Sequence, residues 1–263
     1  MSNCYMEYNI PFFTKRLIIV TDIHNCHIEW HGITNEDRMK LFCDTMKDEY
    51  QRQRFDGIIS LGDYSLDFWK WSIGGSYLWD EPVSRTAEFV DKYRSEMPTD
   101  FYMIPGNHEQ YGHEDWERIT GYPREYSIVW GEVVFVMLDT FGGELDPKEN
   151  HDGSYTGINV ELLKTVIERH HDKKIILCMH DLVPLNESEE ARELILSERR
   201  IVCAFTGHTH KNNVQFLDEK WRFLPVVYCG DFSYTGGSPN KNWGYRMLEL
   251  NPNGFSTTYV RVQ

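Results

Sequence analysis

Residues 17–24 read Leu-Ile-Ile-Val-Thr-Asp-Ile-His, an apolar run that ends in an acid and a histidine two positions apart. A bare run of branched residues is typical of a strand that is buried on both faces of a sheet. The segment therefore predicts a strand over Leu17 to Val20, followed at once by Asp22 and His24. Residues i and i+2 of an extended chain face the same way, so these two side chains should share one side.

The same combination of a strand-like run and a polar cluster recurs along the chain. Further runs occupy Ile58 to Leu61, Phe101 to Ile104, Val133 to Leu138, Ile175 to Met179 and Ile201 to Phe205. The clusters that follow them are Gly62-Asp63, Gly106-Asn107-His108-Glu109, His180 and Gly207-His208-Thr209-His210. Open α/β sheets place ligand sites outside the carboxyl ends of their strands. We therefore expect all five clusters to converge on one crevice.

Helical patterns lie between these runs. The clearest begins after Thr34, whose spacing to Asp37 resembles a capping box. One face of this helix would carry Met39, Phe42, Cys43, Met46 and Tyr50. Three more helices are expected around residues 87–93, 163–167 and 191–195. Two hairpins are also expected, one with strands at Val214 to Leu217 and Trp221 to Tyr228, the other with strands at Tyr245 to Leu250 and Ser256 to Val262.

Alternating strands and helices predict a layered α/β fold. No internal repeat or Pro/Ser-rich linker divides the chain, so a single domain over residues 1–263 is expected. No apolar run approaches the roughly 20 residues that span a bilayer, and the first 16 residues lack a signal-peptide pattern. We therefore expect a cytoplasmic protein with no membrane partner.

Composition narrows the function classes. The 263 residues include 41 acidic and 27 basic side chains, which give a formal net charge of −14. Such a charge repels long polyanions, and the sequence shows no basic cluster that would form a binding groove. A nucleic-acid substrate is therefore disfavoured. The six cysteines are scattered and form no C-x-x-C pair, so reduced core thiols are expected and a structural zinc ribbon is not.

The residue types of the polar clusters suit metal ions. His208 and His210 would stand about 6–7 Å apart at the backbone, which is wide enough to straddle two cations roughly 3.5–4 Å apart. Two carboxylates, one amide and four imidazoles make a sulfur-free set that favours manganese, iron, zinc or cobalt over magnesium. The glycines at 62, 106 and 207 are expected where the backbone turns sharply and approaches an ion or a phosphate.

The five clusters, in this order, resemble the pattern of the calcineurin-like metallophosphoesterase superfamily: D-x-H, G-D, G-N-H-E or G-N-H-D, H and G-H-x-H. They span residues 22–210. The resemblance implies a four-layer α/β/β/α sandwich. It also implies an enzyme that hydrolyses a small phosphomonoester or phosphodiester, nucleotide-like esters included, with a hydroxide that bridges two metal ions.

The resemblance also assigns roles to residues. The ligands of the first metal would be Asp22, His24 and His210. Those of the second metal would be Asn107, His180 and His208, and Asp63 would bridge the two ions. The catalytic residues would be Asp63, Asn107 and His108, the last contacting the phosphate or protonating the leaving oxygen. Glu109 completes the motif without an assigned role.

Departures from the pattern narrow the subfamily. Protein phosphatases of the calcineurin branch have Asp-Arg-Gly just after G-D, whereas Asp67 is followed by Phe68 here, and Pro105 stands where they have an arginine. Purple acid phosphatases have a tyrosine ligand where this chain has Leu66. What remains is similar to the class III cyclic nucleotide phosphodiesterases and to small bacterial-type phosphoesterases. A protein-binding scaffold without activity and a nuclease are the alternatives.

An aromatic segment follows Asp63, with Tyr64, Phe68, Trp69, Trp71, Tyr77 and Trp79. It could form a cap that stacks on a flat substrate group, or it could pack against the domain or an oligomer interface. The loop from Phe141 to Thr156, rich in Gly, Asp and Asn, could form another wall of the site, but a surface connection is the favoured interpretation. The remaining histidines are expected at exposed or loop positions. Those histidines are His27, His31, His113, His151, His170 and His171.

Overall fold

The strands of this protein form two mixed sheets. A computed structural model describes residues 5–30, 32–69, 84–143, 145, 152–233, 243–251 and 254–262. The strands are β1 (Glu7–Asn9), β2 (Arg16–Val20), β3 (Ile58–Ser60), β4 (Phe101–Met103), β5 (Tyr126–Trp130), β6 (Val133–Leu138), β7 (Lys174–Met179), β8 (Ile201–Thr206), β9 (Val214–Phe216), β10 (Pro225–Tyr228), β11 (Gly244–Asn251) and β12 (Gly254–Arg261). One sheet has the order β1-β5-β6-β7-β8-β10-β9 and the other β12-β11-β2-β3-β4.

Helices connect the strands. They are α1 (Asn35–Arg52), α2 (Arg85–Glu88), α3 (His113–Thr120), α4 (Val160–Arg169) and α5 (Glu189–Ser197). A π-helical turn over Phe89–Tyr93 continues α2, and short 3₁₀ turns cover Arg94–Glu96 and Glu219–Trp221. The predicted N-cap of α1 is confirmed, because Thr34 Oγ1 accepts a hydrogen bond from the Asp37 backbone N–H at 3.1 Å.

The two faces of strand β2 contribute to two different cores. Leu17 and Ile19 face the seven-stranded sheet, in a core between the sheets that also contains Phe135. Ile18 and Val20 face the opposite way, toward the apolar side of α1. A third core lies between the outer face of the seven-stranded sheet and helices α4 and α5. These layers confirm the four-layer α/β/β/α sandwich, and they explain why the strands are apolar on both faces.

All six predicted strands are confirmed, with ends that shift by at most one residue, and the four predicted helices are present. The two hairpins are confirmed as the antiparallel pairs β9–β10 and β11–β12. One expectation is wrong in detail, because Trp221 lies in a 3₁₀ turn and the strand begins only at Pro225. Strand β10 also pairs in parallel with β8, so this hairpin is part of the seven-stranded sheet.

The cysteines of the described residues are buried thiols, as expected. Cys26, Cys43, Cys178, Cys203 and Cys229 are free and buried. His170 lies in the turn that follows α4, as expected of a loop position, and it is buried there with Nε2 2.7 Å from Glu7 Oε2. Cys4, His31 and His151 lie outside the described residues. Within the described ranges no helix is long and apolar enough to cross a membrane.

A buried ion pair joins the two ends of the β5–β6 hairpin. Arg124 Nε donates to Asp139 Oδ2, and only 2% of either side chain is exposed. Arg124 Nη1 also donates to the backbone carbonyls of Glu109 at 3.0 Å and Tyr111 at 2.8 Å. The pair therefore fixes the segment that follows strand β4, which carries Asn107 and His108.

We expect Asp139→Ala to lower the free energy of unfolding by about 3–5 kcal/mol, because it leaves the Arg124 guanidinium buried without its counter-ion. Urea denaturation followed by circular dichroism measures this change. Asp44→Ala is the matched control, since Asp44 forms an exposed i,i+4 pair with Lys40 and its loss should change stability little. Equal losses in the two variants would contradict the importance of the buried pair.

Candidate metal centre

Strand ends from both sheets meet at one edge of the molecule. β2, β3 and β4 are parallel in one sheet, and β6, β7, β8 and β10 are parallel in the other. The polar clusters begin within four residues of the ends of β2, β3, β4, β7 and β8. The structure therefore brings together the side chains of Asp22, His24, Asp63, Asn107, His180, His208 and His210.

One group of three donors consists of Asp22, His24 and His210, whose potential ligand atoms all lie within 4.8 Å of one another. Asp22 Oδ1 is 3.0 Å from His210 Nε2 and 3.8 Å from His24 Nε2. The other carboxylate oxygen of Asp22 accepts hydrogen bonds from Thr21 Oγ1 at 2.6 Å and from the His208 backbone N–H at 3.0 Å. These bonds turn Oδ1 toward the two imidazoles.

The second group consists of Asp63, His180 and His208, again within 4.8 Å. Asn107 joins them, because its Oδ1 lies 2.9 Å from His180 Nε2 and 3.0 Å from His208 Nδ1. His180 Nδ1 is 2.8 Å from the Leu61 carbonyl oxygen, which orients the ring and leaves Nε2 for the site.

Asp63 lies between the two groups. Its Oδ2 is 3.8 Å from His24 Nε2, in the first group, and 3.2 Å from His180 Nε2, in the second. Its Oδ1 accepts a hydrogen bond from the His108 backbone N–H at 3.3 Å. One carboxylate oxygen is therefore in contact with members of both groups.

The separations within each group fit a transition-metal ion. Nitrogen and oxygen ligands bind such ions at about 2.0–2.2 Å, so neighbouring ligand atoms stand about 2.8–3.6 Å apart and opposite ones about 4 Å apart. The 2.9–3.8 Å contacts among these side chains match that range. Imidazole, carboxylate and amide donors are also the types that manganese, iron, cobalt and zinc accept.

The backbone at this edge is strained. Asp22, His24, Asp63, His208 and His210 all have positive φ, between 47° and 58°. Such left-handed conformations cost about 1–3 kcal/mol each for residues other than glycine, and they cluster at functional sites. The chain thus turns sharply after β2, β3 and β8 in a way that stability alone does not require.

Two glycines permit close approach at these turns. A Cβ atom on Gly106 would lie 2.1 Å from Asp63 Oδ1, and one on Gly207 would lie 2.0 Å from Thr21 Oγ1. Neither distance is compatible with a side chain. Gly62 has a positive φ of 101°. The expected sharp turn and close backbone approach are therefore present at glycines 62, 106 and 207, and the approach to an ion or a phosphate stays a prediction.

Glu109 lies beneath the turn that carries Asp63. Its fully buried carboxylate accepts hydrogen bonds from the backbone N–H groups of Asp63, Tyr64, Ser65 and Gly106, at 2.8–3.2 Å. Burial, and then the nearby Asp63 carboxylate, raise the pKa of Glu109 to about 8. The sequence pattern left this residue without a role, and the structure shows that it holds the two turns of Gly62-Asp63 and Gly106-Asn107 together.

The charges at the site are strongly coupled. Burial alone would raise the pKa of Asp22, but the His210 imidazole outweighs it and holds that pKa well below its usual range. Burial alone would likewise lower the pKa of His180, but the Asp63 carboxylate raises it to about 10. The metal-free cluster therefore holds protons on imidazoles that a cation would have to displace.

His108 lies next to the two groups of candidate metal ligands but belongs to neither. Its Nε2 is 3.7 Å from Asp63 Oδ2, and 11% of its side chain is exposed. Burial, partly offset by the Asp63 carboxylate, lowers the pKa of His108 to about 4. This imidazole lies beside the shared Asp63 carboxylate and outside both donor groups.

Aromatic rings surround the candidate ligands. Trp69 is edge-on to His108, with ring centroids 5.2 Å apart, and Phe141 lies 5.9 Å from both His180 and His208. Within the aromatic segment that follows Asp63, Tyr64 fits the alternative of packing against the domain, because it is fully buried in the core beside Phe89. Trp71, Tyr77 and Trp79 lie outside the described residues.

Two aspartates at the site were not predicted. Asp181 Oδ2 lies 3.9 Å from His208 Nε2, and Asp152 contacts the Asn107 amide. Asp181 directly follows His180, so its position next to a candidate ligand was available as a signal. Asp152 lies in an irregular segment 45 residues after Asn107, and no pattern in the sequence connects the two.

Solved structures with a similar fold include two hydrolases. The chain matches the purple acid phosphatase PPD1 of yellow lupin (Lupinus luteus) with 13% identity and a TM-score of 0.51, over 98% of this chain and 54% of that one. It matches the sulfate thiohydrolase SoxB of Thermus thermophilus with 12% identity and a TM-score of 0.54, over 97% and 58%. The chain thus spans about half the length of these proteins, and the likeness concerns the fold alone.

Zinc-bound Vps29 of Entamoeba histolytica matches with 13% identity over 94% of this chain and 98% of that one, but its TM-score of 0.42 is too low to support a conclusion about this protein. No curated protein matches the chain. The family model of the calcineurin-like phosphoesterases matches residues 15–212, which include all five polar clusters and both groups of donors. The chain therefore belongs to the calcineurin-like phosphoesterase family.

Proposed function

We propose that this protein is a dinuclear metal-dependent hydrolase of small phosphate esters, folded as one domain over residues 1–263. The observation that carries the proposal is the position of Asp63, whose Oδ2 contacts imidazoles of both donor groups. A family of metal-dependent phosphoesterases supplies the reaction class. The core shared by the two sheets supports a single domain.

The first metal would be held by Asp22, His24 and His210, and the second by Asn107, His180 and His208, with Asp63 shared. Bound cations of the manganese, iron, zinc or cobalt type supply an acidified water and neutralise charge on the phosphoryl oxygens. Asn107 and His108 would orient the ester, because they follow one another at the end of β4 and are buried at the same edge.

His108 would contact the phosphate or deliver a proton to the leaving oxygen. Its pKa of about 4 in the metal-free protein means that the imidazole is neutral near pH 7. Proton delivery therefore requires the negative charge of the bound ester to raise that pKa. An imidazole that stays neutral could still donate one hydrogen bond to a phosphoryl oxygen.

The substrate would be a small phosphomonoester or phosphodiester. The net charge of −14 opposes the approach of a long polyanion, whereas a small ester meets mainly the local field of the bound cations. The Trp69 ring beside His108 gives a flat leaving group, such as a nucleoside, a surface to pack against.

Metal content tests the shared role of Asp63. The purified protein should bind close to two Mn²⁺ ions per chain by elemental analysis after dialysis, and a chelator should remove its activity. Asp63→Ala should reduce occupancy at both sites, whereas His24→Ala should mainly reduce the first. Asp172→Ala is the control, because Asp172 is exposed on a turn. Identical occupancy losses in the first two variants would argue against a bridging carboxylate.

Mn²⁺ affinity should rise with pH. Because the pKa of His180 is raised to about 10, its imidazole carries a proton at pH 7 that must leave before the nitrogen can bind a metal. Affinity should therefore increase by about tenfold per pH unit for each proton released. Isothermal titration between pH 6 and 8, in buffers of different ionisation enthalpy, counts these protons. An affinity that is flat across this range would refute the protonated ground state.

His108→Ala should retain its metals but lose activity unevenly. General acid catalysis typically contributes about 10²–10⁴-fold and matters most for poor leaving groups. The loss should thus be much larger for alkyl or nucleoside phosphates than for p-nitrophenyl esters, whose phenolate leaves as the anion. Equal losses on both substrates would mean that His108 stabilises phosphoryl charge and is not the proton donor. Loss of metal would mean that His108 is a ligand.

A further inference from the structure

Asp152 is hydrogen bonded directly to the Asn107 amide. Asn107 Nδ2 donates to the backbone carbonyl oxygen of Asp152 at 3.0 Å and to its Oδ1 at 2.7 Å. The carboxylate of Asp152 is 53% exposed, and its Oδ1 lies 3.8 Å from His108 Nε2, beyond hydrogen-bond distance. Asp152 therefore holds the Asn107 amide by two hydrogen bonds.

Residues 152–156 contact both Asn107 and the end of the seven-stranded sheet. Gly153 has a φ of +68°, and a Cβ atom there would lie 2.9 Å from the Asn107 carbonyl oxygen. The Thr156 backbone N–H donates to the Thr140 carbonyl oxygen at 2.8 Å, just after strand β6. The close packing of Gly153 is an observation independent of the amide hydrogen bonds, and it places residues 152–156 as a support for Asn107.

The two oxygens of Asp152 determine which way the Asn107 amide faces. A backbone carbonyl and an ionised carboxylate can only accept hydrogen bonds, so the amide must turn its NH₂ group toward them. Its Oδ1 then faces His180 Nε2 at 2.9 Å and His208 Nδ1 at 3.0 Å. Only this orientation presents an oxygen to a cation, because an amide NH₂ group is not a metal ligand.

We propose that Asp152 is a positioning residue for the second metal site, which it serves by holding Asn107 Oδ1 toward His180 and His208. This inference rests on the proposed function only in taking Asn107 as a ligand. It makes residues 152–156 a support of the candidate metal centre, although the sequence predicts a surface connection there. Outer partners of this kind typically change metal affinity by 10–100-fold.

Two substitutions at Asp152 separate hydrogen bonding from charge. Asp152→Ala removes the side-chain acceptor and leaves the backbone carbonyl of residue 152 to hold the Asn107 amide less firmly, so Mn²⁺ affinity at the second site should fall about 10–100-fold. Asp152→Asn keeps a carbonyl oxygen that can accept from Asn107 Nδ2, so affinity should stay within about threefold of the wild type. The first site should change little in either variant.

The experiment is stepwise Mn²⁺ titration of the metal-free full chain by isothermal calorimetry. His24→Ala and Asn107→Ala assign the two binding steps, and Asp172→Asn is the control for losing one acidic charge on the surface. Asp152→Ala should add little to Asn107→Ala in the double variant, because both act through one amide. Circular dichroism checks that each variant is folded.

The outcomes are distinguishable. Selective weakening of the second step in Asp152→Ala, with retention in Asp152→Asn, supports the positioning role. Unchanged affinity in Asp152→Ala, an additive double variant, or equal loss in Asp152→Asn overturns it while leaving the proposed function intact. A wild-type chain that binds no Mn²⁺ overturns both, whereas metal binding without hydrolysis of any phosphate ester removes only the proposed function.

Discussion

The arrangement of the candidate metal centre depends on the carboxylate of Asp63, which lies between imidazoles of two donor groups. A buried carboxylate in contact with His24 and His180 is stable only if protons or cations balance its charge. In the metal-free protein that balance comes from protons, as the raised pKa of His180 indicates. Metal binding at these donors would displace the protons, and it would therefore depend on pH.

The rest of the fold places and fixes this carboxylate. Parallel strands of two sheets end at the same edge, and the left-handed turns after them direct Asp22, Asp63 and His208 into one space. The Glu109 carboxylate accepts hydrogen bonds from backbone N–H groups of the Asp63 turn. The Arg124 guanidinium donates to backbone carbonyls of the segment that follows His108. The conformational strain of these turns is thus offset by hydrogen bonds that approach from beneath the site.

The sequence predicts the candidate metal ligands that directly follow strands. An apolar run that ends in polar residues indicates both the strand and the position of those ligands at its carboxyl end. The sequence predicts less well the parts that depend on backbone donors or on irregular loops. The role of Glu109 is an interaction with four N–H groups, which no residue pattern encodes. Asp152 reaches Asn107 from a loop without periodicity, and the short strand β1, with the sequence Glu-Tyr-Asn, lacks an apolar signal.

The central claim is that two cations bind on either side of Asp63, and anomalous diffraction from a crystal of the Mn²⁺-loaded protein tests it most directly. Data collected above and below the manganese edge locate each ion without reference to activity. Two peaks about 3.5–4 Å apart, both within ligand distance of the Asp63 carboxylate, are the result this account predicts. A single peak, or two peaks of which only one contacts Asp63, would contradict it.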